Sequence, residues 1–221
     1  PWKLLTGAPL INHLDILLPG ILCALGIIYL VYQICKRYFP RIPFLLMLLF
    51  TVVTLHCSRM LYLCAHPDFY SIPKLCALMF TVWGLGLWIA AIKENGHLHP
   101  VLLTAGSLCM AAVAGCRPQL LMGSFLAIPL FWSCLLPSSK NRSQAGYLRS
   151  VLCFALPFIL VAAGLMYYNQ IRFGSPFDFG ANYNLTTNDM TQRGLRLGRV
   201  PAGIFSYLFQ FPVNTVRFPF L

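Results

Sequence analysis

Charged residues are scarce in this chain, and acidic residues are the scarcest of them. Asp, Glu, Lys and Arg together make up 10% of the 221 residues, and only five residues are acidic. A typical soluble domain carries roughly 25% charged residues, because its surface must face water. Apolar residues, by contrast, make up 58% of the chain. This composition excludes an ordinary soluble domain and is typical of a membrane protein.

Several signatures of cofactor binding are also absent. The chain contains no P-loop and no GxGxxG motif, so no nucleotide site is indicated. Its nine cysteines are odd in number, form no CxxC pair and lie within or beside apolar runs. That pattern is typical of small buried hydrophobic residues, and not of disulfides or metal ligands. We predict no metal site and leave the cofactor unidentified, a divalent cation included.

Long runs without any charge dominate what is present. Six stretches of 17 to 22 residues contain no Asp, Glu, Lys or Arg, and roughly 20 helical residues cross a bilayer core about 30 Å thick. Because the runs are continuous and not alternating, they favour helices over a closed barrel. We therefore predict an all-α, polytopic transmembrane bundle of about six spans. The predicted spans are 16–35, 42–65, 75–92, 100–116, 118–137 and 150–170.

Basic residues are concentrated in the short segments between these runs. The formal net charge is +11, but the bases form no single stripe, so we predict no nucleic-acid partner. Short loops rich in Lys and Arg stay in the cytoplasm. Loops between the predicted spans alternate between the two membrane faces, and the short loops of one face carry seven bases whereas those of the other face carry three. We predict a multi-pass protein of the plasma membrane. The predicted cytoplasmic segments are 36–41, 93–99 and 138–149, and the predicted extracytoplasmic ones are 59–74, 117 and 171–210.

The chain is predicted to be one transmembrane region, 1–221, of a longer protein, because it has no initiating Met and its last residues lead into another apolar segment. Residues 171–221 form the predicted extracytoplasmic, interfacial segment. Gly174 and Pro176 predict a turn that ends the sixth span. Apolar side chains within 202–211 are expected to dip into lipid.

Small residues are concentrated in the fourth run. Gly106, Ser107 and Gly115 are among seven such residues between positions 104 and 115. Small side chains allow a neighbouring helix to approach closely. We predict a tightly packed fourth span.

Most of the few acidic residues fall on the predicted outer face, where several bases join them. Asp68, Asp178 and Asp189 lie there by the parity of the spans. Carboxylates and cations on one membrane face are the groups from which a site for an anionic substrate can be built. The basic or titratable residues of this face are Arg59, His66, Arg117 and Arg172.

Arg59 and Arg117 each have two interpretations. A helix continuing through Ala65 would hold Arg59 a turn or two inside the membrane boundary, where a charge is costly unless it faces a hydrated cavity. The alternative is that Arg59 extends to the lipid headgroups. Arg117 joins two spans through a Cys-Arg-Pro turn, and its guanidinium suits a phosphate, which it can bind through two donors. The alternative there is an interfacial anchor.

Four short motifs together resemble polytopic bacterial glycosyltransferases of the GT-C superfamily, the dolichyl-phosphate-mannose protein mannosyltransferase-like group. Members of that group transfer a sugar from a polyprenyl-phosphate donor to an acceptor at the outer membrane face. The resemblance covers most of the chain in order. The motifs are Leu4-Leu-Thr-Gly7, Arg59 with His66-Pro-Asp68-Phe-Tyr70, Ala-Gly-Cys-Arg117-Pro118, and Tyr-Asn169-Gln-Ile-Arg172-Phe-Gly-Ser-Pro176.

The resemblance implies roles for individual residues. Asp68 becomes a catalytic acidic residue at the outer end of a helix, and Arg117 the base near the lipid phosphate. Arg59, beside His66 of the same motif, would line the cavity. Arg172 and Asp178 would form part of its rim, so that five residues bind substrate: Arg59, His66, Arg117, Arg172 and Asp178.

The same resemblance leaves the principal catalytic carboxylate of the family upstream of residue 1, so the chain is expected to be an internal fragment. The implied partners are membrane lipid and a lipid-linked sugar, with the oligomeric state open. Two other function classes remain. One is a transporter or flippase for an anionic lipid or solute, which would place charges within its spans. The other is a non-catalytic membrane subunit whose bases only set its orientation.

Overall fold

The computed structural model describes residues 12–68, 70–93, 97–135, 144–180 and 197–209. This part of the chain is helical, and its one bridge of strand type joins Ile92 to Leu98. The chain divides into two units, residues 1–168 and 169–221. The α-helices are α1 (Asn12–Tyr38), α2 (Phe44–Cys57), α3 (Met60–Ala65), α4 (Ser71–Ala91), α5 (Pro100–Cys116), α6 (Ala127–Leu135), α7 (Gln144–Phe173) and α8 (Val200–Leu208), with 3₁₀ helices at Pro118–Leu126 and Leu197–Arg199.

Helices α1 and α4 lie side by side and run in the same direction. The indole N–H of Trp83 donates to the carbonyl of Leu22 at 2.8 Å, and its ring stacks on Tyr29 with centroids 5.3 Å apart. Farther along both helices, the Arg37 guanidinium donates to the carbonyl of Ile92 at 2.7 Å. Residue numbers rise together along the two helices at these contacts. The pair is therefore parallel, and α2 and α3 form the return between them.

Helix α5 packs antiparallel against the other side of α4, at a point where both helices carry glycine. A Cβ atom on Gly106 would lie 2.6 Å from the Trp88 ring and 3.1 Å from the carbonyl oxygen of Gly84. The Trp88 indole N–H donates to the Ser107 hydroxyl at 3.1 Å, and both side chains are fully buried. The small residues thus let the two backbones approach closely. This confirms the prediction of tight packing in the fourth apolar run.

An aromatic cluster joins later elements to this core. The Trp88 ring centroid lies 5.7 Å from that of Phe131 on α6 and 5.5 Å from that of Phe154 on α7. Phe131 and Phe154 meet edge to face, with centroids 6.0 Å apart. Such geometry is favoured by the ring quadrupoles. The fully buried Trp88 is therefore the centre on which α4, α5, α6 and α7 converge.

The predicted span 42–65 does not form one helix. Helix α2 ends at Cys57, and α3 starts at Met60 after a two-residue turn in which Arg59 has a positive φ of 55°. The Ser58 hydroxyl donates to the Leu55 carbonyl at 2.9 Å, and the turn directs Met60 into the core, where it is 6% exposed. Fourteen residues of helix rise about 21 Å, which is less than the bilayer core of about 30 Å.

The predicted span 118–137 also departs from a regular α-helix. It starts as a 3₁₀ helix, Pro118–Leu126, and continues as α6 as far as the description extends, at Leu135. A 3₁₀ helix rises about 2.0 Å per residue, so the nine-residue 3₁₀ helix and the nine residues of α6 rise about 31 Å together. The 3₁₀ winding therefore extends a segment that would be shorter as an α-helix.

Among the residues that the structure describes, three helices are long and apolar enough to cross a membrane: Asp15–Tyr38, Ser71–Ala91 and Gly146–Phe173. They contain the predicted spans 16–35 and 150–170 and nearly all of 75–92. The apolar helices Phe44–Cys57 and Pro100–Cys116 and the segment Pro118–Trp132 are shorter. The described part of the chain is thus helical, with three helices that could cross a membrane, and the count of six spans remains a prediction.

Much of the apolar helix surface is left uncovered within the chain. Helix α2 has no buried residue, with Phe44 72% and Leu45 74% exposed. Only 6% of the most apolar window of α7 is buried. Apolar surface on this scale requires a covering other than water, and lipid supplies it for a membrane protein.

The unit formed by residues 169–221 begins with the end of α7. Gly174 has a φ of +76°, and the helix ends immediately before it, as the turn prediction requires. The Asn169 amide donates to the Pro176 carbonyl at 3.3 Å. Helix α8 follows, and the stacked rings of Phe205 and Phe209 are both more than 60% exposed. These exposed rings fit the predicted insertion into lipid, although part of the segment 202–211 lies outside the described residues.

Candidate functional site

One end of the unit 1–168 gathers the charged residues that the sequence singled out. Because α1 and α4 are parallel and α5 is antiparallel to them, α1 and α4 begin where α5 ends. The Cys76 side chain accordingly lies near both Cys116 and Asp15. We call this the Asp68 end, and define it by Asp15, His66, Asp68, Lys74 and Arg117. Asp68 and Arg117 therefore share one end of the bundle, as the parity of the predicted spans requires.

Asp68 is exposed and caps the first turn of α4. Its carboxylate accepts a hydrogen bond from the backbone N–H of Ser71, and its carbonyl accepts from the same N–H at 3.1 Å. Hydrogen bonds from Ser71 lower the pKa of Asp68 below its ordinary value, with smaller contributions from the Tyr70 N–H and the charge of Lys74. The carboxylate is therefore ionised at neutral pH, but it is a weaker proton acceptor than an ordinary aspartate.

His66 lies two residues before Asp68, at the end of α3. Its ring is exposed and stacks on Tyr62, with centroids 4.5 Å apart. The ring Nδ1 lies 3.1 Å from the Tyr62 carbonyl oxygen, and the Asp68 N–H donates to the His66 carbonyl at 2.8 Å. The other ring nitrogen makes no hydrogen bond within the described part of the chain. His66 thus offers Nε2 as a polar group two residues before Asp68 in the chain.

Arg59 occupies a left-handed backbone conformation, with φ 55° and ψ 13°. An L-residue other than Asn or Asp rarely adopts this conformation, which costs on the order of 1 kcal/mol. Helix α2 reaches about 21 Å from the basic turn that precedes it, which is about 9 Å short of the bilayer core thickness. The continuous helix through Ala65 from which the depth of Arg59 was predicted does not form, and the depth of Arg59 stays a prediction. Its side chain is exposed on the protein.

Arg117 is the half-buried cation of the Asp68 end. Its backbone is extended, with φ −150° and ψ 95°, and both of its main-chain polar groups are satisfied: the N–H donates to Val113 and the carbonyl accepts from Leu120. Pro118 then starts the 3₁₀ helix. Within the described residues the guanidinium has no hydrogen bond and no acidic partner. A half-buried guanidinium without a protein partner is available to bind an anion.

Lys74, like Asp15, is a member of this end to which sequence reasoning gave no chemical role. It lies on the first turn of α4, is exposed, and contributes to lowering the pKa of Asp68 through its charge. The sequence counted it only among the bases that set orientation. Its nearness to Asp68 follows from the helix starting at Ser71, and that start could have been inferred from Asp68 as a capping residue three positions earlier.

Arg172 and Asp178 belong to the unit 169–221 and are described there alone. The Arg172 guanidinium lies 5.1 Å from the centroid of the Phe173 ring. The Asp178 carboxylate accepts from the Gly180 N–H at 2.8 Å. Their predicted place at the rim of the cavity stays a prediction.

The described residues hold no cluster of three or more His, Cys, Asp or Glu side chains that could bind a metal ion. Asp15 and Asp68 share one end of the bundle but are not part of such a cluster.

Comparison of this chain with protein-family models, with curated proteins and with solved structures finds no match. The resemblance to GT-C glycosyltransferases accordingly depends on the motifs of the chain itself. Those motifs and the geometry of the Asp68 end are the evidence from which a function can be proposed.

Proposed function

We propose that this chain is part of an integral membrane glycosyltransferase of the GT-C type, which moves a sugar from a polyprenyl-phosphate donor to an acceptor at the outer membrane face. The observation that carries the proposal is the sharing of one bundle end by an ionised Asp68 and a half-buried Arg117 that has no partner among the described residues. One side chain suits a sugar or acceptor hydroxyl, and the other suits a phosphate.

Arg117 acts on the leaving group in this proposal. An acceptor oxygen attacks the anomeric carbon, the bond from that carbon to the phosphate oxygen breaks, and its electron pair stays on the phosphate. The phosphate gains charge during this step, so a guanidinium held beside it stabilises the transition state more than the ground state. The short turn from α5 into Pro118 limits the movement of the Arg117 backbone. Arg59 would line the same path of the lipid phosphate.

Asp68 acts as an ionised partner of the sugar or acceptor hydroxyls. Its lowered pKa makes it a weak proton acceptor, so the acceptor's proton is better taken by a carboxylate upstream of residue 1, as the resemblance implies. Asp68 and His66 would then accept hydrogen bonds and orient the reacting groups. Orientation of this kind contributes to rate by holding the reactants in line.

The polyprenyl chain has an apolar surface to follow. Helix α2 ends just before Arg59 and has no buried residue. A lipid tail can therefore run along α2 while its phosphate reaches the cations near the Asp68 end. This is the arrangement that a donor remaining in the bilayer requires.

The test is transfer by the full-length protein in membrane vesicles, with a panel of radiolabelled polyprenyl-phosphate sugars. Asp68→Asn keeps a side-chain oxygen for the Ser71 N–H, and Arg117→Gln keeps a polar side chain without the charge. We expect transfer to fall on the order of 100-fold for Arg117→Gln, as for loss of one transition-state donor. Arg149→Gln, at an exposed position of α7, is the matched control and should transfer normally.

Full transfer by both Asp68→Asn and Arg117→Gln, with normal membrane insertion, would remove the basis of the proposal. Movement of the intact lipid-linked sugar between leaflets, without transfer to an acceptor, would instead identify the flippase alternative.

A further inference from the structure

The opposite end of the unit 1–168 contains a basic pocket. Its volume is about 800 Å³, and it lies between the last turns of α1 and α4. Lys36, Arg37 and Lys93 supply three cations to its wall. We call it the Arg37 pocket. It is far from the Asp68 end, because α1 and α4 are parallel and the pocket lies at the end opposite to their first residues.

The charge of the Arg37 pocket is positive even after the helix ends are counted. Two helices end here, and each helix C-terminus acts as roughly half a negative charge. The three cations exceed this by about two charges, and no acidic residue is among the described residues of the wall. A group of negative charge is therefore favoured in the pocket.

One of the cations is held in place by the fold. An Arg37 Nη1–H donates to the Ile92 carbonyl at 2.7 Å, which ties the end of α1 to the end of α4. A guanidinium has five N–H donors, so the remaining ones can engage a ligand. Lys36 and Lys93 are exposed, and their flexible ammonium groups can close on the same anion.

The pocket also has an apolar wall. Ile89 and Ile92 of the α4 end line it together with the cations, and Phe39, just past α1, is 58% exposed at the same end. A free phosphate gains no binding energy from an apolar wall, whereas a phospholipid presents a phosphate directly next to its acyl chains. Basic pockets between membrane helices are sites at which anionic headgroups bind.

We propose that the Arg37 pocket binds the phosphate headgroup of an anionic phospholipid, with the acyl chains along the apolar surface of the bundle. The three cations bind the phosphate, and the contact between Arg37 and Ile92 makes the bound lipid a link between the ends of α1 and α4. The proposal is independent of the sugar-transfer proposal, because it concerns the other end of the bundle and different residues.

The test is a titration of the purified full chain in a neutral detergent with short-chain phosphatidylglycerol, short-chain phosphatidylcholine and inorganic phosphate, each followed by the thermal unfolding midpoint. Lys36→Ala with Lys93→Ala is the main variant, because it leaves the Arg37 hydrogen bond intact. Each lysine contributes about a fivefold gain in affinity for an anionic lipid. The double variant should therefore bind phosphatidylglycerol on the order of 30-fold more weakly than the wild type. Arg149→Ala removes an exposed base elsewhere and should bind like the wild type.

A midpoint shift from phosphatidylglycerol that is absent with phosphatidylcholine, and that weakens in the double variant but not in Arg149→Ala, supports the site. Equal shifts from the two lipids, or an unchanged affinity of a folded double variant, would overturn it. An equal shift from inorganic phosphate would overturn the lipid as the ligand.

Discussion

Substitution of Gly106 by alanine tests the close approach of α4 and α5. The added Cβ would lie 2.6 Å from the ring of Trp88 and 3.1 Å from the Gly84 carbonyl oxygen. Neither can move aside easily, since Trp88 is fully buried and hydrogen-bonded to Ser107 and the second atom is backbone. Overpacking of this kind costs about 1 to 3 kcal/mol. Alanine also favours the helix by up to about 1 kcal/mol over glycine, so the two effects oppose each other.

Gly164→Ala is the control that separates these two effects. Gly164 lies in α7, and a Cβ there would meet nothing within 4 Å. Gly164→Ala should therefore gain the helix-propensity term alone, about 0.4 to 1 kcal/mol, and unfold at a higher temperature. The difference in unfolding free energy between the two variants isolates the steric cost. We expect Gly106→Ala to be less stable than Gly164→Ala by about 1 to 3 kcal/mol.

The assay is thermal or denaturant unfolding in one detergent, followed by helical circular dichroism and by tryptophan fluorescence. Because Trp88 contacts the new methyl group, its fluorescence should change in Gly106→Ala and not in Gly164→Ala. Equal stabilisation of the protein by both substitutions would refute the inferred contact between the two helices.

Two further predictions concern the charged residues. The lowered pKa of Asp68 means that its ionised form stabilises the fold above the unfolded pKa of about 3.9, and that this contribution is lost as the pH falls through the lower folded value. The unfolding midpoint of the wild type should therefore exceed that of Asp68→Asn at pH 7, and the difference should shrink in acid. A difference independent of pH would show that the pKa of Asp68 is not lowered by folding. Arg59→Gly should be more stable than Arg59→Ala by about 1 kcal/mol, because only glycine adopts the left-handed conformation without strain. Equal unfolding midpoints would show that residue 59 is not held in that conformation.

The long helices could be predicted from the sequence because their signal is strong and local. A run without charges must be buried or lie in lipid, and the bases that bound each run mark its ends. This is why α1, α4, α5 and α7 contain runs that were predicted as spans. The agreement extends to one aspect of the site, since the parity of spans is enough to bring Asp68 and Arg117 to the same end.

The departures have causes that no local pattern records. The break at Ser58 and Arg59 has neither Gly nor Pro to mark it, and it forms because Met60 is buried by α1 and α4 when the chain turns. The 3₁₀ winding from Pro118 to Leu126 has no structural explanation, since the segment contains no buried residue. The Arg37 pocket depends on the pairing of two helices that are distant in sequence, and the bases that line it were interpretable beforehand only as signals of orientation.

The parallel pairing of α1 with α4 has a consequence for biosynthesis. The contact between Leu22 and Trp83 spans 61 residues, so α1 is synthesised well before its partner α4. At about 5 to 20 residues per second, the ribosome needs about 3 to 12 s to supply that partner. During this interval the Leu22 side of the first helix must be shielded by lipid, by the insertion machinery or by the hairpin that follows it. A substitution at Arg59 that slows formation of the turn between α2 and α3 would lengthen the time before α1 meets α4, without altering any contact of the folded protein.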